Sequence, residues 1–451
     1  MTRTSSMLWE EADRMAVRRS RRAFVKDAIA LGFMPAVAGL AGTFGSGRAE
    51  AAAPSHISFW SRENFNNGAR EPLLKDHAAA FDRAHGTTTD VQFMVFQESI
   101  AKMLAAITAG NPPELGEQGP DVGTQFAASG ALMDLTAVAR ELGGTFLPLQ
   151  RDAYVTYQGK VYAIPWYNET RVLFYHRDLL DRAGVRPPTT WAEWIAAAQK
   201  LTTGDQYGCG IAVEGTWPGQ MWIPLGISNG GRVIDKTGKI VSDSPAMREG
   251  LQFVTDLYLK YKVAPPATPT YKNNDVVQLF LLKKIAMFWY NGDLLQTIEQ
   301  QAPTLLQTVG ATITPVNHAG QTSRSFLGGF DLFVFQKSAN PQGGLQLLRW
   351  MYDPAWYTQY VVTTAASALP VVKATANTSF FQQNDARKAL VTQLATAVRY
   401  GGPDWGNTPW TGEAEGKLLF SQPMVDVING KRSVDQAITD MTAALKALAK
   451  Q

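Results

Sequence analysis

The stretch from Gly159 to Glu193 limits the possible folds more than any other, because it sets two strand-forming runs in close succession with only a bend between them. Lys160 to Ile164 and Arg171 to Tyr175 are short runs of β-branched and aromatic residues. Pro165 cannot donate to a sheet ladder, so it is expected to stop the first run and leave a bend over Trp166 to Glu169. A short helix is predicted over Arg177 to Ala183, closed by Gly184 in the left-handed conformation. Thr190 and Glu193 then form a capping box that starts a helix at Trp191. The bend carries Trp, Tyr, Asn and Glu together, a set suited to a polar ligand that also has an apolar face.

Upstream, strands and amphipathic helices alternate. Ile57 to Trp60 and Thr89 to Phe96 read as strands. Pro72 to Ala84 reads as a helix with Leu74, His77, Ala78 and Phe81 on one face, and Ser99 is expected to cap a helix carrying Ile100, Met103, Leu104 and Ile107. That order argues for an α/β lobe with a largely parallel sheet, whose ligands sit beyond the carboxyl ends of the strands. The loops at those ends share a composition. They present Trp60, Arg62 and Glu63; Glu117 and Gln118; Trp217 and Trp222; and Trp289, Asn291 and Asp293. Gly328 and Gly329 interrupt a further strand pair before Phe330, where backbone can approach a ligand closely. Five indoles, Trp60, Trp166, Trp217, Trp222 and Trp289, fall at predicted strand-to-loop junctions, and at least three are expected to face one cleft.

Composition narrows the function classes. Arg21 and Arg22 precede an apolar run from Ala28 to Phe44 and a small-residue stretch at Ala49 to Ala53, the order of a removable export signal of the twin-arginine type over residues 1–53. Those residues hold 8 of the 42 basic and 5 of the 39 acidic side chains, which leaves 34 of each in the remainder. A formally neutral mature chain has no basic footprint for nucleic acid or for a membrane surface. Cys209 is the only cysteine, so no intrachain disulfide forms. After the leader, no window approaches the roughly 18 apolar residues of a membrane span. The five histidines are scattered and no nucleophile elbow, zinc pair or phosphate loop occurs, so neither a metal nor a cofactor is expected.

Several short pieces, in this order, resemble the extracellular solute-binding proteins of bacterial ABC importers, including the maltodextrin- and glycerol-phosphate-binding members. They are Ala106 to Pro113, Ser129 to Thr136, Gly159 to Glu193, Lys284 to Met287, Phe326 to Gly329, Leu369-Pro370 and Ile428 to Lys431. His176 stands where that family usually has Asn, and Pro113-Glu114-Leu115 where it usually has Pro-Asp-Val. The resemblance implies two α/β lobes joined by crossover strands, a ligand held between them, and closure on binding. It places 54–165 and 286–325 in an N-terminal lobe, and 166–285 and 326–451 in a C-terminal lobe. Implied ligand contacts are Trp60, Arg62, Glu63, Glu117, Gln118, Trp166, Tyr167, Trp217, Trp222, Trp289, Asn291, Asp293, Gly329 and Phe330. The implied role is periplasmic capture of a sugar or sugar-like polyol by a monomer that delivers it to a membrane permease. Two other readings stay open: the same role for a polyamine or a phosphorylated polyol, and a secreted glycoside hydrolase.

Overall fold

The structure, a computed structural model, describes residues 56–63, 67–147, 154–363 and 368–450. The export signal read over residues 1–53 lies outside the described residues. Ten strands build two sheets, each covered by helices. The strands are β1 (His56–Arg62), β2 (Thr88–Met94), β3 (Leu115–Gln118), β4 (Val155–Tyr157), β5 (Lys160–Glu169), β6 (Arg171–His176), β7 (Tyr207–Gly210), β8 (Ile285–Asn291), β9 (Val309–Thr312) and β10 (Gly328–Val334). The first sheet runs β2-β1-β3-β10-β5-β4 and the second β7-β8-β6-β9.

Strand pairing corrects the lobe boundaries drawn from the sequence. Residues 286–325 belong with the second sheet, since β8 and β9 flank β6 on its two sides. The segment starting at 326 returns to the first sheet, where β10 lies between β3 and β5. Helices Pro341–Trp350 and Pro354–Thr363 stay there, packing Tyr352, Tyr357 and Tyr360 around Trp166. The chain rejoins the second lobe at helix Asp385–Leu394, where Gln393 Oε1 accepts from the Thr314 N–H at 2.7 Å, and past Val398, which bridges Phe326, it enters the second core through Ile438, Met441 and Leu445 of helix Val434–Leu448. The chain therefore passes between the lobes three times.

A second correction concerns Pro165. Strand β5 runs through it to Glu169 without a bend. The register shifts between Phe330 and Asp331 opposite it, so the ladder is already irregular where Pro lacks its N–H. The Tyr352 hydroxyl bonds the carbonyls of Ile164 and Pro165 at 3.2 and 2.7 Å. Only Thr170 separates β5 from β6, so one extended segment serves both sheets.

Two helices begin earlier than their sequence signals. Helix Asn67–His85 starts before Pro72 because Arg70 is tethered to strand ends and to Tyr360. Helix Phe96–Ala109 starts before Ser99, whose hydroxyl instead accepts a bond from Gln118 Nε2 at 2.8 Å. Other local signals hold. Gly184 caps its helix at φ 62°, and Thr190 and Glu193 form the box.

Candidate functional site at the junction of the lobes

Topology alone brings the strand ends together. Strands β1 and β3 are parallel, and β10 opposes β3 while β5 opposes β10. The carboxyl ends of β1, β3 and β5 therefore share one edge with the start of β10. In the second sheet the same logic joins the carboxyl ends of β7, β8 and β9 to the start of β6. Because β5 leads straight into β6, the two edges face each other across Thr170, the place where open α/β sheets hold ligands.

On the first edge, Glu117 is fully buried and takes bonds at 2.5 Å from both Ser61 Oγ and Arg70 Nη2. Arg70 is itself fully buried; it also donates to Tyr360 Oη at 2.6 Å and to the Arg62 carbonyl. Burial works to lower the Arg70 pKa, but Glu117 and the two tyrosines Tyr360 and Tyr167 outweigh it and hold the guanidinium above its ordinary value. Tyr167 lies 3.4 Å from Glu117 Oε1, and burial pushes its hydroxyl well above the usual range. Arg62 lies over the Phe330 ring at 3.3 Å. Gly329, at φ 125°, lets β10 approach β5, since a Cβ there would stand 2.4 Å from the Tyr167 carbonyl oxygen.

At the second edge the Trp217 indole stacks on Tyr290 at 4.5 Å and 5°. Arg171 lies 4.9 Å from the Trp217 ring, 3.3 Å from Glu169 and 2.7 Å from Gln220 Oε1. Asn291 donates to Glu169 at 2.8 Å and to Asp293 at 2.9 Å. Gln220 donates to Glu415 at 3.0 Å, Tyr400 donates to the same carboxylate at 3.2 Å, and Arg399 joins Glu415 to Asp121 of the first lobe. Burial and the neighbouring Asp293 raise the Tyr290 pKa. Within this buried network no protein group hydrogen-bonds Arg171 Nε, Arg171 Nη1 or Asp121 Oδ1. Such atoms are costly unless a polar guest meets them.

The structure divides the residues singled out from the sequence. Arg62, Glu117, Gln118, Tyr167, Gly329 and Phe330 gather on the first edge, and Trp217, Asn291 and Asp293 on the second. Trp166, Trp222 and Trp289 do not form a shared wall. They are core residues, 0, 0 and 3% exposed; Trp222 donates to the Phe420 carbonyl and Trp289 to Thr314. Trp60 is half-buried against the Met103 and Phe126 side of the first sheet, with Lys102 Nζ 4.9 Å over its ring, and Glu63 is exposed. The expectation of three convergent indoles fails because the continuous β5 and β8 turn theirs into the cores. Glu169 was read as part of the bend, whereas Arg70, Asp121, Arg171, Arg399 and Glu415 were not singled out. Their partners lie as far as 290 positions away, as with Arg70 and Tyr360. A depression of about 310 Å³ lined by Gln422, Asp426, Lys431 and Arg432 lies on the second lobe, away from both edges.

Among the described residues, no helix is long and apolar enough to cross a membrane and no group of three His, Cys, Asp or Glu side chains could hold a metal. Comparison with known proteins agrees with the two-lobed fold. A binding protein of Brucella abortus is 25% identical over 393 residues, covering 84% of this chain and 90% of the relative. The sn-glycerol-3-phosphate-binding periplasmic protein UgpB of Rhizobium meliloti is 22% identical over 441 residues, covering 88% of this chain and 95% of the relative. The GacH receptor of Streptomyces glaucescens, solved without ligand and with acarbose, superposes with a TM-score of 0.73 at 23% identity, covering 89% of this chain and all of that one. The family described as bacterial extracellular solute-binding protein matches residues 66–358, and the chain belongs to that family.

Proposed function

We propose that the junction of the lobes captures an uncharged, hydroxyl-rich solute, a sugar or sugar-like polyol, which a monomeric, exported protein hands to ABC permease subunits in the membrane. The observation that carries this reading is the set of buried polar atoms at the junction that no protein group hydrogen-bonds, Arg171 Nε and Nη1 beside the Trp217 ring and Asp121 Oδ1 on the first lobe. Hydroxyl groups supply donors and acceptors together, while the C–H face of a sugar covers aromatic surface. The proposed contacts are these residues with Arg62, Tyr167, Asn291, Asp293 and Phe330.

Charge selects against the alternatives. Arg70 is paired with Glu117, Arg171 with Glu169, and Arg399 with Asp121 and Glu415. A phosphate would meet cations already neutralised by carboxylates, and an amine would meet carboxylates already held by arginines. Among the relatives, GacH was solved with acarbose, a polyhydroxylated ligand, whereas UgpB is named for glycerol 3-phosphate, the phosphorylated alternative. No turnover is proposed. A glycosidase needs two acids flanking the scissile bond, whereas Glu117 is locked in an ion pair and Glu63 is exposed.

Isothermal titration and thermal shift of the mature chain with maltose, ribitol, sn-glycerol 3-phosphate and spermidine test the proposal. A neutral ligand is expected to bind, and at 100-fold its Kd to add about 2.7 kcal/mol of stability. Binding of the phosphate ester or the polyamine, with no response to any neutral polyol, would refute it.

A further inference from the structure

Arg399 holds a position that ligand binding alone does not explain. It stands in the second lobe, one residue past the bridge between Val398 and Phe326, and is 5% exposed. From there its guanidinium reaches the first lobe, donating to the Leu327 carbonyl at 3.0 Å and pairing with Asp121 at the start of helix Pro120–Ala128. A second carboxylate, Glu415 of its own lobe, lies 3.6 Å from the same Nη2. The elements around the pair are in contact too. Helix Pro409–Gly416 lies on helix Pro120–Ala128 with Gly412 at the crossing, where a Cβ would stand 3.0 Å from Asp121 Cβ and 2.7 Å from Gln125 Nε2. The lobes thus touch directly, through protein groups, at a site where no ligand is needed to bridge them.

We infer that Arg399 is a latch between the lobes, shared between Asp121, which it holds when the lobes are closed, and Glu415, which keeps it paired when they open. In the structure one nitrogen, Arg399 Nη2, stands within ion-pair reach of both carboxylates at once. In the closed arrangement the guanidinium bridges carboxylates of opposite lobes; in the open one it falls back on Glu415, already within ion-pair distance. A buried arginine stripped of every carboxylate is expensive, so the fallback partner keeps the open state within reach of the closed one. Other groups facing the pair include the Phe326 ring, 5.1 Å from the guanidinium, Tyr400, whose hydroxyl bonds Glu415, and Gln220, which links Glu415 to Arg171. Tyr400 and Gln220 both belong to the second lobe and do not span the two. Closure would then be part of the ligand-free equilibrium, set by the difference between two ion pairs, whichever solute binds.

The two carboxylates should act in opposite senses, which a merely structural role would not produce. Spin labels on Lys102→Cys in the first lobe and Lys236→Cys in the second report lobe separation in the full mature chain without ligand. Both lysines are exposed, and Cys209 is buried with its pKa pushed up to about 12, so it does not compete for label. Asp121→Asn removes the closed-state partner and is expected to raise the ratio of open to closed molecules by about fivefold or more. Glu415→Gln removes the open-state partner and is expected to leave the separation unchanged or shorten it. Arg399→Lys keeps the charge but cannot reach both carboxylates and the Leu327 carbonyl together, so it should lengthen the separation as Asp121→Asn does. It replaces that variant if Asp121→Asn does not fold. An unchanged separation in the variant that breaks the bridge, or lengthening by Glu415→Gln, overturns the latch.

Discussion

Replacing Asp331 by Asn should change how stability depends on pH, by an amount that the site's burial sets. Asp331 lies on β10 at the register shift opposite Pro165, 1% exposed, and no protein group hydrogen-bonds its Oδ2. The titratable groups nearest it are Tyr154 and Tyr352, neither of them a cation. Burial pushes the carboxyl well above the usual carboxylate range, so it is neutral when folded and ionised when unfolded over a wide span of pH. The sign follows. With a folded pKa above the unfolded value, the folded state holds the extra proton, and stability falls as pH rises from about 4 towards the folded pKa. The slope limit is about 1.4 kcal/mol per pH unit wherever the carboxyl is neutral in the folded state and ionised in the unfolded one. Asn is isosteric and never ionises, so Asp331→Asn should gain on the native protein steadily across that range. Urea unfolding at four pH values, followed by ring signals of the first lobe and compared as differences between the two proteins, measures it. A difference that stays flat from pH 5 to pH 8 would show that the carboxyl ionises in place, and the reasoning from burial would be wrong.

Two further outcomes separate packing from binding and acid lability from both. Trp166→Ala should cost about 3–5 kcal/mol of stability by emptying the space among Tyr352, Tyr357 and Tyr360. Trp217→Ala should cost less stability and more affinity, and unfolding curves beside titration calorimetry distinguish the two. His176, buried beside Phe280 with its Nε2 2.9 Å from the Phe280 carbonyl, has its pKa lowered by burial to about 4. Its unfolded form takes a proton first, so stability should fall as pH drops from about 6.5 to 4. His176→Gln should flatten that acid limb; an unchanged limb would mean that His176 does not contribute to it.

Local rules carried the sequence reading wherever a few neighbouring residues settle the geometry. Gly184 past a helix and the Thr190 and Glu193 pair each decide an end without help from distant chain, and both stand as read. The reading of Pro165 as a strand end failed because the register shift that tolerates it belongs to a strand about 165 residues further on. With the break misplaced, Trp166 looked like a loop residue when it packs the first core. The misplacement of residues 286–325, and of the chain from 326 until it rejoins the second lobe, has the same origin, since β8 and β10 are equally plausible partners for either sheet on composition. Glu117, Tyr167 and Phe330 do come together on the first edge, but within strands β3, β5 and β10 and not in loops after them. What held them, Arg70, sits inside a helix as one charged residue among several. Asp121 and Arg399 meet across 278 positions, and nothing in either neighbourhood announces the other.

The place of β10 in the first sheet bears on how the chain can be made. That strand alone joins the β2-β1-β3 group to the β5-β4 pair. Until residue 334 has left the ribosome, the nascent first lobe is two half-sheets with unpaired backbone edges, while all four strands of the other sheet have already been synthesised by Thr312. Bare edges invite pairing with other chains. The sheet that begins first is thus the later of the two to be completed, and a product truncated shortly before Gly328 should be the most prone to clump.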